Sequence, residues 1–200
     1  MTIAVLADDD QWKELTGNTG TVRWERIFQL ENETVQPDAF LILSGADISA
    51  LAHLKKPVLF NAVVNTLKEL NAPLNVIRIN GWKSFLARKQ WEVAGNVTGE
   101  LMEIFAAMDK QVSIVTDVPG LVAARPVAMI INEAYFALEQ QVSTKDEIDI
   151  AMKLGTNYPY GPFEWANIIG LKNIYDLLYS LSLIDKKYTP SSLLKTEAAL

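Results

Sequence analysis

The sequence contains no cysteine and a single histidine, His53. Without thiols there can be no disulfide, no thiolate catalysis and no cysteine-based zinc site, and one imidazole excludes most other zinc sites. Clusters of lysine and arginine are also missing. With a net charge of −6 the chain is not expected to bind a nucleic-acid backbone. No uncharged run approaches the roughly 18 residues needed to span a bilayer. The opening MTIAVLADDD has no basic region ahead of a long apolar stretch, so a signal peptide is not expected. These absences point to a soluble, cytoplasmic protein with neither nucleic-acid nor membrane partners. There is no internal repeat and no low-complexity segment. What is present is apolar: half of the residues, enough for a real core. Two hundred residues allow one large or two small domains.

The first half alternates between strand and helix patterns. Thr2–Ala7 reads as a buried strand, and Asp8-Asp9-Asp10 can cap a helix carrying Trp12 and Leu15, with Gly17–Gly20 as the turn out. Thr21–Phe28 alternates as a second strand. Ala39–Leu43, Pro57–Phe60, Asn75–Ile79 and Gln90–Val93 read as further strands. Ile48–Leu54 and Val63–Leu70 read as helices between them, and Val97, Leu101, Ile104, Phe105 and Met108 fall at helical spacing. Such alternation with short connections means a parallel sheet covered on both faces.

The second half is helical. Val112–Val115 reads as a buried strand, and Asp117-Val118-Pro119-Gly120 then turns the chain. An apolar helix follows, with Pro126 in its first turn, where its missing N–H has no partner. Thr144-Lys145-Asp146-Glu147 has the form of a capping box, opening a helix that turns Ile148, Ala151, Met152 and Leu154 inward and stops at Gly155. Tyr158–Glu164 is an aromatic turn that launches a third helix, and apolar residues from Ile168 to Leu183 continue at helical spacing. The tail after Tyr188 is polar and reads as a surface arm.

DVPG followed by four residues and an arginine, a long apolar helix, TKDEIDIAMKLG, YPYGPFE and GL occur here in one order. Together, over Val112–Ile184, they resemble the C-terminal domain of the 3-hydroxyacyl-CoA dehydrogenase family of fatty-acid metabolism. The resemblance implies a nicotinamide-binding Rossmann domain before this domain, a substrate cleft and dimer contacts through the helices. The expected architecture is therefore a reduced Rossmann-like α/β domain over residues 1–117, then an all-α domain over 118–200. The stretch before Asp117 is short for a full dinucleotide-binding domain, which uses two mononucleotide-binding halves.

Several functional residues of the family are replaced. Where it places a GxGxxG loop, this chain has Ala7-Asp8-Asp9-Asp10-Gln11-Trp12, without a glycine. Backbone amides need glycines there to approach a pyrophosphate. A like-charge pair at about 4 Å also costs roughly 4 kcal/mol at intermediate dielectric. Ordinary NAD binding is therefore not expected, and the acids read as a solvated helix start, with an Asp-lined metal site as the alternative. The family's catalytic histidine lies at the end of a strand, with a glutamate downstream to orient it. The alignment puts Lys83 at the histidine and Glu92 at the glutamate, either as an ion pair holding the loop or as a residual catalytic lysine. Ala124 stands where the family has a substrate-contacting asparagine. Arg125 is retained, and Asn61 is a candidate remnant of another polar substrate contact. His53 lies outside all these places.

The expectation is a homodimeric relative that has lost ordinary dehydrogenase chemistry and binds an acyl-CoA or another small acid. Two alternatives stand beside it. One is a working 3-hydroxyacyl-CoA oxidoreductase that binds its cofactor unconventionally through Lys83 and Glu92; the other is a structural or regulatory subunit without a ligand. The dimer is expected through the helices Leu121–Leu138 and Ile168–Leu183, unless their apolar faces pack within the subunit.

Overall fold

Short β-branched runs separated by polar turns have little choice but to pair with one another, and they do so in sequence order with one reversal. In a computed structural model that describes residues 1–17, 20–30 and 36–199, the strands are β1 (Thr2–Leu6), β2 (Arg23–Ile27), β3 (Ala39–Ile42), β4 (Val58–Asn61), β5 (Val76–Ile79), β6 (Gln90–Ala94) and β7 (Gln111–Ile114). They form one sheet in the order β2-β1-β3-β4-β5-β6-β7. Every pairing is parallel except β5 with β6. The chain leaves β1 for β2 on one side and returns to β3 on the other, so the topological switch point lies between β1 and β3. The described residues divide into two compact units, Met1–Leu121 and Val122–Leu200. The expected Gly17–Gly20 turn falls partly on residues 18 and 19, outside the described residues.

The two faces of the sheet are covered differently. On one, Ile3, Val5, Leu41, Leu59, Ile77 and Val93 pack against helices α1 (Asp9–Thr16) and α2 (Gly99–Ala107) through Leu15, Leu101, Ile104 and Phe105. On the other, Ala4, Leu6, Phe40, Ile42, Val58 and Phe60 are covered by Leu30, Leu51, Leu54 and Ala62, which stand on turns. The helix expected over Ile48–Leu54 is only a 3-10 turn, Ile48–Leu51.

The helix expected over Val63–Leu70 does not form. Its first helical hydrogen bond would run from Leu67 N–H to the Val63 carbonyl. Leu67 N–H instead donates to Asp117 at 2.9 Å, and the Val63 carbonyl accepts from Gly120 N–H at 2.7 Å and from Arg78 at 2.9 Å. Long-range partners have taken both halves of the bond. A single turn survives, tied by Thr66 and Glu69 and ended by Asn71 in the left-handed region. β7 also departs from expectation: it is half-buried, with Ile114 66% exposed, because it is an edge strand with a neighbour on one side only.

The second unit is helical: α3 (Ala124–Glu139), α4 (Lys145–Thr156), α5 (Pro162–Ile169), α6 (Leu171–Ser182) and α7 (Ser192–Ala198). The capping box at Thr144 and Glu147 is present, and Pro162 occupies the first turn of α5. Three expectations are corrected. α4 runs through Gly155 to Thr156 and ends at Asn157, whose φ is +56°. Its inward face is set by Asp149, which accepts hydrogen bonds from Phe163 N–H (2.8 Å) and Glu164 N–H (3.1 Å) at the start of α5. Ala151 and Leu154 therefore face solvent, Leu154 at 82%. The run Ile168–Leu183 is not one helix, because Gly170 at φ +93° separates α5 from α6. The apolar residues of α6, Ile174, Leu177, Leu178 and Leu181, are buried, which leaves less unpaired surface there than expected.

The tail is no surface arm. α7 packs on α3 and α6 with Leu194 fully buried. Asn132 donates to the Thr189 carbonyl and accepts from Ser191 N–H. Glu197 accepts from Tyr135 and from Lys145, whose ammonium also lies over the Tyr135 and Phe163 rings.

Arg78 is fully buried in β5, with its guanidinium bonded to Asp117 and to the carbonyls of Ala62, Val63 and Val118. Arg78→Met removes the charged donor from the Ala62 carbonyl and leaves Asp117, Val63 and Val118 with only the N–H groups of Leu67, Gly120 and Leu121. It is expected to lower the unfolding free energy by about 3–5 kcal/mol, read from urea denaturation.

Candidate functional site

In an open α/β sheet ligands settle beyond the carboxyl ends of the strands, at the switch point. Here the chain itself occupies part of that end, at the start of α1, while a cavity of about 400 Å³ lined by Leu6, Phe28, Leu30, Gly45, Asp47 and Ser49 among others opens beyond β1, β2 and β3. Asp8 caps α1: its carboxylate accepts Gln11 N–H at 2.8 Å, while the Gln11 side chain accepts Asp8 N–H at 3.2 Å. This reciprocal box satisfies amides that a helix start would otherwise offer to an anion. The Gln11 side chain, 5% exposed, then donates to the carbonyls of Leu43 (3.3 Å) and Gly81 (3.1 Å), beyond β3 and β5.

The other two acids are also matched. Asp9 pairs with Arg26, which also donates to the Ala7 carbonyl and lies over the rings of Trp12 and Phe28. Asp10 pairs with Lys83 at 2.8 Å, and Asp8 lies 3.4 Å from the same ammonium. Lys83 sits on the segment Gly81–Lys89, which lies along α1. Glu14 of α1 accepts Ser84 N–H (2.8 Å) and Ala87 N–H (3.0 Å). The lysine–carboxylate pair expected between Lys83 and Glu92 is thus formed with Asp10 and Asp8 instead, because Glu14 and Gln11 fasten the start of this segment to α1.

A dinucleotide does not fit this turn. No glycine lets backbone approach a pyrophosphate, and the Asp8 carboxylate already receives the Gln11 amide. The metal alternative is not supported either: among the described residues no group of three acids or histidines converges on one point.

Asn61 ends β4 and stitches the strand ends together. Its Nδ2 donates to the Leu43 carbonyl and its Oδ1 accepts Gly81 N–H, both at 2.9 Å. A Cβ on Gly81 would lie 2.8 Å from Asn61 Cβ and from Leu43 Cδ2, so only glycine fits. Both functions of the Asn61 amide are therefore used within the fold. Glu92 is half-buried in β6. Arg125 is half-buried in the first turn of α3, beside the fully buried Ala124, and His53 is exposed in a turn.

Three residues escaped the sequence reading. The spacing Asp8-x-x-Gln11 is itself a capping-box signal that could have revealed Gln11. Glu14 binds a segment seventy residues away and left no local signal. The third is Asn80, the residue that follows β5. The antiparallel register pairs Arg78 with Ala94 and Ile79 with Val93, and Asn80, only 7% exposed, follows directly. The residue that directly follows the strand is thus an amide, and Lys83 lies three residues further on.

Comparison with known proteins adds a family. The model of the 3-hydroxyacyl-CoA dehydrogenase C-terminal domain matches residues 120–199. A 3-hydroxyadipyl-CoA dehydrogenase of Escherichia coli K12 is 45% identical over 93 residues, covering 46% of this chain and 20% of that protein. A 3-hydroxybutyryl-CoA dehydrogenase of Clostridioides difficile is 29% identical over 177 residues, covering 84% and 58%. The chain thus spans less than two thirds of the length of these curated relatives. Among solved structures, an (S)-3-hydroxybutyryl-CoA dehydrogenase from Ralstonia eutropha superimposes with a TM-score of 0.70 at 18% identity, covering 99% of this chain and 93% of that one. A 3-hydroxybutyryl-CoA dehydrogenase from Escherichia coli K12 gives 0.57 at 26% identity, covering 97% and 36%. The fold is Rossmann-like, followed by helices.

The pairing at the start of α1 has a pH signature. The hydrogen bond and charge of Lys83 hold the exposed Asp10 carboxyl below the usual range, and that same hydrogen bond, helped by Asp8, holds the Lys83 ammonium above its usual range. A lowered carboxyl adds stability above the ordinary aspartate range, which is lost as pH falls through the lowered value. A raised ammonium adds stability below the ordinary lysine range, which is lost as pH rises through the raised value. The melting-temperature difference between wild type and Lys83→Met is therefore expected to stay flat through neutral pH and to shrink at both extremes.

Proposed function

Because this chain belongs to the 3-hydroxyacyl-CoA dehydrogenase family, with residues 120–199 as the C-terminal domain, we propose that it is a member without NAD-dependent dehydrogenase activity. In this reading it is a cytoplasmic homodimer that binds an acyl-CoA or another small acid, as a carrier or as a regulatory relative. The observation that carries the reading is the first turn of α1, where Asp8 caps the helix and Lys83 is held by Asp10 and Asp8. A pyrophosphate would have to displace carboxylates already hydrogen-bonded to the groups that would receive it.

Two further residues support it. Asn80 directly follows β5, and an amide does not exchange protons near neutral pH as an imidazole does. Ala124, fully buried in α3, has no polar group to offer a substrate. In contrast, the capping box at Thr144 and the helix order of the second unit are intact. Ile150 and Leu154 of α4, together with Leu183 and Ile184, remain exposed and provide apolar surface for a two-fold contact. No helix among the described residues is long and apolar enough to cross a membrane.

The test combines three measurements on the purified chain. Incubation with NAD and 3-hydroxybutyryl-CoA is expected to give no absorbance change at the NADH wavelength, and turnover at an ordinary enzyme rate would overturn the proposal. In thermal shift, a CoA ester at 100 times its dissociation constant stabilises by about 2.7 kcal/mol, and a flat response to a panel of CoA esters and small acids would remove the ligand. Sedimentation at micromolar concentration is expected to give a dimer, and a monomer would remove that element.

A further inference from the structure

The cavity beyond β1, β2 and β3 lies beside the closed turn of α1 and is not filled by it. Its volume of about 400 Å³ is that of a small-molecule site, and it opens at the topological switch point. All of its lining residues belong to the first unit. The floor is apolar: Leu6 and Leu30 are buried and share one cluster with Ala46.

The rim carries groups that the fold leaves unused. Phe28, the residue after β2, is 77% exposed. The guanidinium of Arg26 lies 5.2 Å from the centre of its ring, and most of the ring is left to solvent. Asp47 stands in the capping position before the 3-10 turn Ile48–Leu51, yet its side chain makes no capping bond. No cation among the described residues pairs with it, whereas Asp8, Asp9 and Asp10 are all engaged. Ser49, two residues on, adds an exposed hydroxyl.

We propose that this cavity is a binding site for an aromatic amine, its ring lying against Phe28 and the Leu6–Leu30 floor and its ammonium group on Asp47. The charge around the cavity selects the sign of the ligand. At the start of α1 three acids face two cations, Arg26 and Lys83, and Asp47 adds a carboxylate with no cation of its own. Arg26, the cation beside the cavity, is already committed to Asp9 and to the Ala7 carbonyl. An anion would therefore meet an unmatched carboxylate, and an ammonium would match it. The exposed phenyl ring selects the body of the ligand, since an aromatic ring gains more against it than an alkyl chain of similar size does.

Titration of the full chain with four probes, followed through its amide NMR spectrum, tests the assignment. Tryptamine is expected to shift Gly45, Asp47 and Ser49 saturably. Tryptophol, its neutral counterpart, should bind about fivefold more weakly, the worth of an exposed ion pair, and indole-3-propionate more weakly again. n-Hexylamine has the charge without the ring and should lose up to about tenfold. Asp47→Asn should erase the difference between tryptamine and tryptophol, and raised ionic strength should narrow it in the wild type. Phe28→Ala should weaken both indoles by up to about tenfold. Both substituted side chains are exposed, so the core is untouched and the same spectra report the fold. The proposal is overturned if no probe shifts these residues saturably, if binding ignores charge or ring, or if the amine keeps its advantage in Asp47→Asn. The probes carry neither a thioester nor a phosphate, so this site stands or falls separately from acyl-CoA binding.

Discussion

A guanidinium without access to solvent organises the first unit. Arg78 lies in the middle of the sheet and could not remain charged there without acceptors on several sides. It obtains them by drawing in the carbonyls of Ala62 and Val63 from the loop after β4, and Val118 with Asp117 from the turn after β7. One side chain thus ties together the end of β4, the strand β5 and the last turn of the unit. The cost is local regularity: a segment with helical periodicity is pulled open because its carbonyl oxygens are needed elsewhere.

The same competition separates what was legible in the sequence from what was not. The capping box at Thr144, the aromatic turn that launches α5 and the apolar strands other than β7 all depend on neighbours within a few residues, and each stands where its spacing put it. The loss of the Val63–Leu70 helix, the rotation of α4 around Asp149 and the docking of α7 depend on partners from 14 to 62 residues away. Periodicity carries no trace of such partners. The tail illustrates this well: its polar composition hid one leucine, Leu194, whose complete burial decides where the helix lies.

At the candidate site, the sequence showed which chemical groups were missing but not what had replaced them. The absence of glycine between Ala7 and Trp12 could be read directly, because glycine's role there is a backbone property. The partner of Lys83 could not, since it depends on how a nine-residue segment folds back across α1. Nor could Asn80 be placed directly after β5, buried, before the strand's end was in hand. The acids that looked like an obstacle to an outside anion are better described as the fold's own anions, each with a cation or an amide already in place.

The joint at Gly81 has an evolutionary meaning. Adding one carbon there would require Asn61 and Leu43 to retreat together, and those two residues also hold the ends of neighbouring strands. A descendant of this chain could not widen the crevice by small independent steps. It would need a concerted change at three positions on three different segments, so the closed arrangement is a ratchet: easy to keep, and hard to leave one mutation at a time.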